Sequence, residues 1–202
     1  MGKEKVISMT ALGKQGEIKL RRSSCKPNEI ILTTGIHGLS KLGLMIKSKT
    51  IFDSDIALTH SLINSSLQQF CRPKLKPKFL KKILKARTNK SIKTIGCTDS
   101  SDGLFQALLD LATESNCKAI IDYAKVPKHK NWPTGNKWDE YYFFGGEDYE
   151  LVFSLPRKWA NNLLYEDKTI KEIGYFVEGD VSVDFQNCDN KNLFKDKSFS
   201  HF

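Results

Sequence analysis

What this 202-residue chain lacks narrows its possible roles first. No stretch approaches the roughly 20 consecutive apolar residues of a membrane span, so no membrane partner is expected. There is no C-x-x-C pair. The five cysteines (Cys25, Cys71, Cys97, Cys117 and Cys188) are scattered and odd in number, which points to reduced thiols in a cytoplasmic protein rather than a disulfide framework. No long apolar stretch follows Met1-Gly2-Lys3-Glu4-Lys5, so secretion is not expected. His37, His60 and His129 stand in no ligand spacing with one another or with cysteine, which argues against zinc. Aromatic and basic residues form no recognition motif, so no nucleic-acid partner is expected. No internal repeat or low-complexity segment occurs.

The charge balance is less empty. Lys and Arg outnumber Asp and Glu by 32 to 23, a formal net charge of +9. Such an excess suits a phosphorylated ligand, although free use of Lys, Asn and Ile supplies the same charge by composition alone. With 40% hydrophobic residues the chain can bury one good-sized core, so one domain with a short appendage is expected.

Along the chain, Val6 to Leu12 reads as a strand ending at Gly13, followed by a polar stretch with Arg21 and Arg22 and a turn at Lys26-Pro27-Asn28. Glu29 to Thr34 reads as a strand. Helical spacing then covers His37 to Lys47, and again from Asp55 to Pro73 with Ile63, Leu67 and Phe70 as its stripe. Pro77 suits the first turn of a helix reaching about Arg87. Ser91 to Thr98 is a strand, 102–115 a helix, Lys118 to Asp122 a strand and 126–137 a polar loop. Trp138 to Phe144 is a short helix or turn before the strand Tyr149 to Leu155 and a helix to about Tyr165. Lys171 to Phe176 and Val181 to Phe185 close the series. Strands and helices alternate, so an α+β or α/β layered domain is expected.

Two strings concentrate chemistry at strand–helix corners. In Cys97-Thr98-Asp99-Ser100-Ser101-Asp102-Gly103-Leu104, two carboxylates and a hydroxyl match the hard oxygen shell of Mg²⁺. The helix start beside them favours phosphate. A plain N-cap explains the same residues equally well. In Gly145-Gly146-Glu147-Asp148-Tyr149-Glu150-Leu151, the double glycine and the acids also fit an ordinary turn. Cys97 beside the first string reads as a buried strand thiol rather than a nucleophile, and Trp132, Trp138 and Trp159 read as packing residues.

Together the strings resemble the thiamine-monophosphate kinases, a family in the aminoimidazole ribonucleotide synthetase and selenophosphate synthetase superfamily. The D-x-S-D-G-L motif stands intact at Asp99 to Leu104, and GGEDYEL at Gly145 to Leu151. The family's Arg-Ser-Gly-Ala-Lys-Pro-Gly-Asp segment corresponds to Arg22-Ser23-Ser24-Cys25-Lys26-Pro27-Asn28-Glu29, with glycines replaced at Ser24 and Asn28. Thr33-Thr34-Gly35-Ile36-His37-Gly38, Arg72-Pro73-Lys74-Leu75-Lys76 and the ending Phe199-Ser200-His201-Phe202 correspond to further family segments.

The resemblance implies a three-layer α/β/α C-terminal domain of the aminoimidazole ribonucleotide synthetase-like superfamily over residues 21–202. Residues 1–20 would be the remnant last strand of an N-terminal domain that this chain does not contain. It implies ATP as co-substrate, Mg²⁺ as cofactor and thiamine monophosphate as substrate. Arg22 would meet ATP phosphates and Ser101 the nucleotide, Asp99 and Asp102 would hold Mg²⁺, and Glu147 and Phe199 would contact thiamine. No residue is singled out as a covalent catalyst. The family's N-terminal half, with further aspartates, has no counterpart here. The chain is therefore expected to be inactive alone, either as part of a split enzyme completed by a separately encoded N-terminal half or as the product of a disrupted gene; a homodimer is a further partner the resemblance implies. Alternatives are a nucleotide- or thiamine-phosphate-binding module, another member of the superfamily, or an interaction protein.

Overall fold

The computed structural model describes residues 7–51, 58–188 and 194. Strand β1 (Lys19–Arg21) and a single 3₁₀ turn (Arg22–Ser24) lead to β2 (Ile30–Thr33), α1 (Leu39–Lys47), α2 (His60–Cys71) and α3 (Phe79–Ala86). Then come β3 (Thr94–Asp99), α4 (Leu104–Ser115), β4 (Lys118–Asp122) and, past a second 3₁₀ turn, α5 (Asn136–Phe144). The chain continues through β5 (Leu151–Leu155), α6 (Arg157–Glu166), β6 (Lys171–Val177) and β7 (Ser182–Gln186).

The strands form one mixed sheet in the order β1-β3-β5-β2-β6-β4-β7. Both outer pairs are parallel, with Lys19 opposite Thr94 and Lys118 opposite Ser182, while the inner pairs are antiparallel. Consecutive residues of a strand point to opposite faces, and β2 shows the result. Ile31 joins a core with Val152, Leu42, Leu104, Leu108 and Tyr142, so α1, α4 and α5 cover that face. Ile30 and Leu32 join Phe79, Ile83, Phe153, Trp159 and Leu163, so α3 and α6 cover the other. The indole N–H of Trp159 donates to the Ile83 carbonyl at 3.0 Å and ties those two helices together. The expected three-layer α/β/α arrangement is therefore present.

Two expectations need correction. Residues 7–12 form no strand, and Ile7, Met9 and Leu12 are 91%, 89% and 95% exposed. Their apolar alternation has no neighbouring strand to supply ladder hydrogen bonds, and β propensity without such a partner does not make a strand. Val6 lies outside the described residues. The first strand is instead Lys19–Arg21, read as polar because only one of its edges is paired. In α2 the buried residues are Leu62 and Ser66, one position before the expected stripe of Ile63, Leu67 and Phe70. Close approach to α1 decides this: a Cβ at Gly43 would sit 2.2 Å from the Ser66 carbonyl oxygen, so small residues must face each other there. The helix start expected at Asp55 lies outside the described residues; the helix begins at His60, after a Thr59 cap whose hydroxyl accepts from the Leu62 N–H. Trp132, Trp138 and Trp159 are all buried packing residues, as expected.

Candidate functional site

The C-terminal end of β3 and the N-terminal end of β5 lie side by side, because Asp99 pairs with Leu151 in an antiparallel ladder. The pairing continues past both strands. The Ser100 N–H donates to the Glu150 carbonyl at 2.8 Å, the Glu150 N–H to the Ser100 hydroxyl at 3.2 Å, and the Glu147 N–H to the Ser101 carbonyl at 2.8 Å. Asp99, Ser101, Asp102 and Glu147, separated by up to 48 positions in sequence, are thereby brought into one corner. The Ser101 hydroxyl donates to Asp99 Oδ1 at 3.2 Å.

The plain N-cap alternative for the first string does not hold. The N-cap of α4 is Gly103 at φ 94°, which has no side chain to cap with, so Ser101 and Asp102 stand outside the helix. Gly103 is required on two counts. Its φ lies where other residues are strained, and a Cβ would come within 3.1 Å of the Phe143 carbonyl oxygen, closing the gap between α4 and the Gly145 turn.

The second motif divides by alternation. Glu147 (φ 71°) and Tyr149 (φ 54°) take left-handed backbone conformations uncommon for residues with side chains. Glu147 is exposed and Tyr149 half-buried, with the Tyr149 hydroxyl donating to Glu147 Oε2 at 3.0 Å. Asp148 and Glu150 turn inward. Asp148 accepts from the backbone N–H groups of Gly38 (2.5 Å) and Ser40 (2.8 Å), filling the start of α1, where unpaired N–H groups favour an anion. Its own carbonyl takes a hydrogen bond from Gln69 at 2.6 Å, and the Ser40 hydroxyl donates to the Glu147 carbonyl at 2.8 Å. Glu150 accepts from the Thr34 hydroxyl at 2.5 Å and pairs with Lys76 at 2.9 Å.

Burial pushes the Asp148 carboxyl up to about 7 against the two amide hydrogen bonds, with the nearby Glu150 charge adding to the rise. His37, wholly buried behind α1, is pushed down to about 3 by burial and then by Lys76, so it stays neutral. Its Nε2 lies 2.7 Å from the Thr33 hydroxyl, and its Nδ1 finds no partner among the described residues. Burial likewise pushes the Cys97 thiol up to about 12, which suits the inert strand thiol read from sequence.

Arg22 has its own two partners. Its Nε donates to the Thr98 hydroxyl at 3.1 Å and its Nη1 pairs with Asp110 at 3.2 Å, on the flank of α4. Phe199 lies outside the described residues. Asn28, standing where the resembled family has glycine, adopts φ 69°, a left-handed conformation that asparagine tolerates better than most residues.

No three His, Cys, Asp or Glu side chains among the described residues converge as a metal cage. Mg²⁺, however, is commonly held by one or two carboxylates, with phosphate oxygens and waters completing its shell. Asp99 and Asp102 fit that donor set. Sequence reasoning passed over Tyr149 and the inward roles of Asp148 and Glu150. The signal was present: period-2 alternation into a strand sends 147 and 149 one way and 148 and 150 the other.

The chain is similar to known proteins over its whole length. The thiamine-monophosphate kinase of a Prochlorococcus marinus strain is 36% identical over 201 residues, covering 100% of this chain and 60% of that protein. The chain thus spans about three-fifths of the length of the curated relatives it matches. Among solved structures, thiamine-monophosphate kinase from Stenotrophomonas maltophilia K279a superposes with a TM-score of 0.67 at 21% identity, over 83% of this chain and 52% of that one. AaThiL complexed with AMPPCP and TMP gives 0.66 at 24% identity, over 91% and 54%. Both likenesses establish the shared fold. Residues 26–185, which contain both motifs and all but the first strand and the end of the last, match the family described as AIR synthase related protein, C-terminal domain, and the chain belongs to that family.

Proposed function

We propose that this chain is the C-terminal part of a thiamine-monophosphate kinase, transferring the γ-phosphoryl group of ATP to thiamine monophosphate with Mg²⁺. A terminal phosphate oxygen of the substrate forms the new bond to the γ-phosphorus, and the bond to the β–γ bridging oxygen breaks to leave ADP. Positioning and charge neutralisation supply most of the rate in such transfers. Asp99 and Asp102 hold Mg²⁺, which neutralises phosphate charge when bound. Ser101 and Arg22 face the nucleotide, and Glu147 and Phe199 face the cationic and flat thiamine end, where a carboxylate and an aromatic ring suit the ligand.

One observation supports this reading above the rest: the Glu147 N–H donates to the Ser101 carbonyl, so the two motifs meet at one corner. Two aspartates alone are a thin metal site, and the relatives are longer than this chain. In our reading, catalysis therefore also needs the family's N-terminal half, on the same polypeptide or on a separate one in the cytoplasm, with a homodimer as the assembly. Residues before Ile18 belong to that half, whereas Ile18 and Lys19–Arg21 pack into the present core and sheet. The test is to combine the chain with the N-terminal part of the Prochlorococcus marinus kinase and measure thiamine diphosphate. Product that requires both pieces, and that Asp102→Asn abolishes, supports the reading; ordinary turnover by the chain alone refutes its dependence on a second half. The alternative, a module that binds nucleotide or thiamine phosphate without transfer, draws on the chain's partial span of its relatives. Binding without product in the combined assay would favour it.

A further inference from the structure

Of the three acidic residues in 145–151, only Glu147 is exposed. An exposed glutamate samples many rotamers, and holding one of them requires a partner. Tyr149 is that partner, its hydroxyl 3.0 Å from Glu147 Oε2. The backbone makes the meeting possible. Residues 147 and 149 are both left-handed, with the buried Asp148 pinned between them by the Gly38 and Ser40 amides. The hydrogen bond to Glu147, then burial, then the charges of Glu147, Asp99 and Asp102 raise the Tyr149 hydroxyl above its ordinary value, so it remains a donor at neutral pH.

We propose that Tyr149 is a positioning residue: its hydroxyl fixes the Glu147 carboxylate to receive the cationic thiamine ring. The inference rests on the role given to Glu147 under Proposed function. One carboxylate oxygen is engaged by the phenol, and the other is left for the ligand. Tyr149→Phe removes this one hydroxyl and keeps the ring, so the fold is little disturbed.

The experiment titrates thiamine monophosphate into the 202-residue chain and follows the Glu147 and Tyr149 amide signals by NMR. Both signals should shift. Y149F should weaken binding by about threefold to tenfold, the usual net scale for a single solvent-accessible hydrogen bond. In an E147Q background the same substitution should add nothing, because interacting residues are non-additive. Unmoved signals, or a Y149F effect of equal size with and without E147Q, would overturn the inference. Failure of the kinase reading is separately visible. Coupled binding with no thiamine diphosphate from the combined halves leaves Tyr149 in its role and removes the transfer reaction; product without coupling does the reverse.

Discussion

Glu147 and Asp148 are chain neighbours carrying the same chemical group, yet one is exposed and the other wholly buried. Asp148 spends its carboxylate oxygens on the α1 amides and holds three segments together; the Glu147 carboxylate has Tyr149 as its hydrogen-bond partner among the described residues and is otherwise exposed. The pair shows that an acidic motif is not a set of equivalent ligands. Its buried acids belong to the scaffold and its exposed one does not, and burial with its partners decides which is which.

The sharpest way to break that contrast is Asp148→Ala. It leaves the Gly38 and Ser40 amides without their acceptor, and hydrogen bonds to charged groups contribute about 1.5–3 kcal/mol each, so a loss of about 3 kcal/mol in urea unfolding is expected. Gly35→Ala comes next. Its Cβ would meet the Glu150 carboxylate at 2.5 Å, and displacing that group from Thr34 and Lys76 should cost about 1–3 kcal/mol by the same measurement.

The pH dependence of stability sharpens the comparison further. Asp148 ionises at about 7 when folded against an ordinary 3.8, so between those values the folded chain keeps a proton that the unfolded chain releases. Its contribution therefore falls as pH rises from about 4 to about 7. His37 has the opposite sign. Its folded value of about 3 lies below the ordinary 6.5, so its contribution is complete above 6.5 and is lost as pH falls toward 3. Urea midpoints measured across pH 4–8 should show the first slope vanish in Asp148→Asn and the second in His37→Gln. The smallest effect belongs to Arg22→Ala. The Arg22–Asp110 pair is half-exposed on the arginine side, and such pairs contribute about 0–1 kcal/mol, so the melting temperature should barely move.

Much of the fold was legible because its strands and helices are strongly periodic. The β4 range read from sequence, Lys118–Asp122, is the observed one, and α4, α6 and β6 begin or end within two residues of expectation. The misses share a cause. Residues 7–12 have a strand's pattern without a strand's neighbour, and Lys19–Arg21 has a neighbour without the pattern; pairing is a tertiary property that local sequence does not carry. The α2 stripe slipped by one because contact with Gly43 selects Ser66, a choice made by the helix opposite.

At the site, the motif residues were visible as types, and the structure assembles Asp99, Ser101, Asp102 and Glu147 as one corner. The division of GGEDYEL into outward and inward residues was encoded in its alternation but obscured by the left-handed turns at Glu147 and Tyr149. The Asp148 clamp could not be read from sequence at all, since its donors lie 108 and 110 positions away.

The most direct measurement compares Glu147→Gln with Asp148→Asn in the chain combined with an N-terminal kinase half, recording both melting temperature and thiamine diphosphate formation. The account predicts that E147Q melts like the parent chain while product formation drops about tenfold or more, and that D148N lowers the melting temperature by several degrees. An E147Q chain that keeps full activity, or a D148N chain as stable as the parent, would contradict the division of labour between these two neighbours.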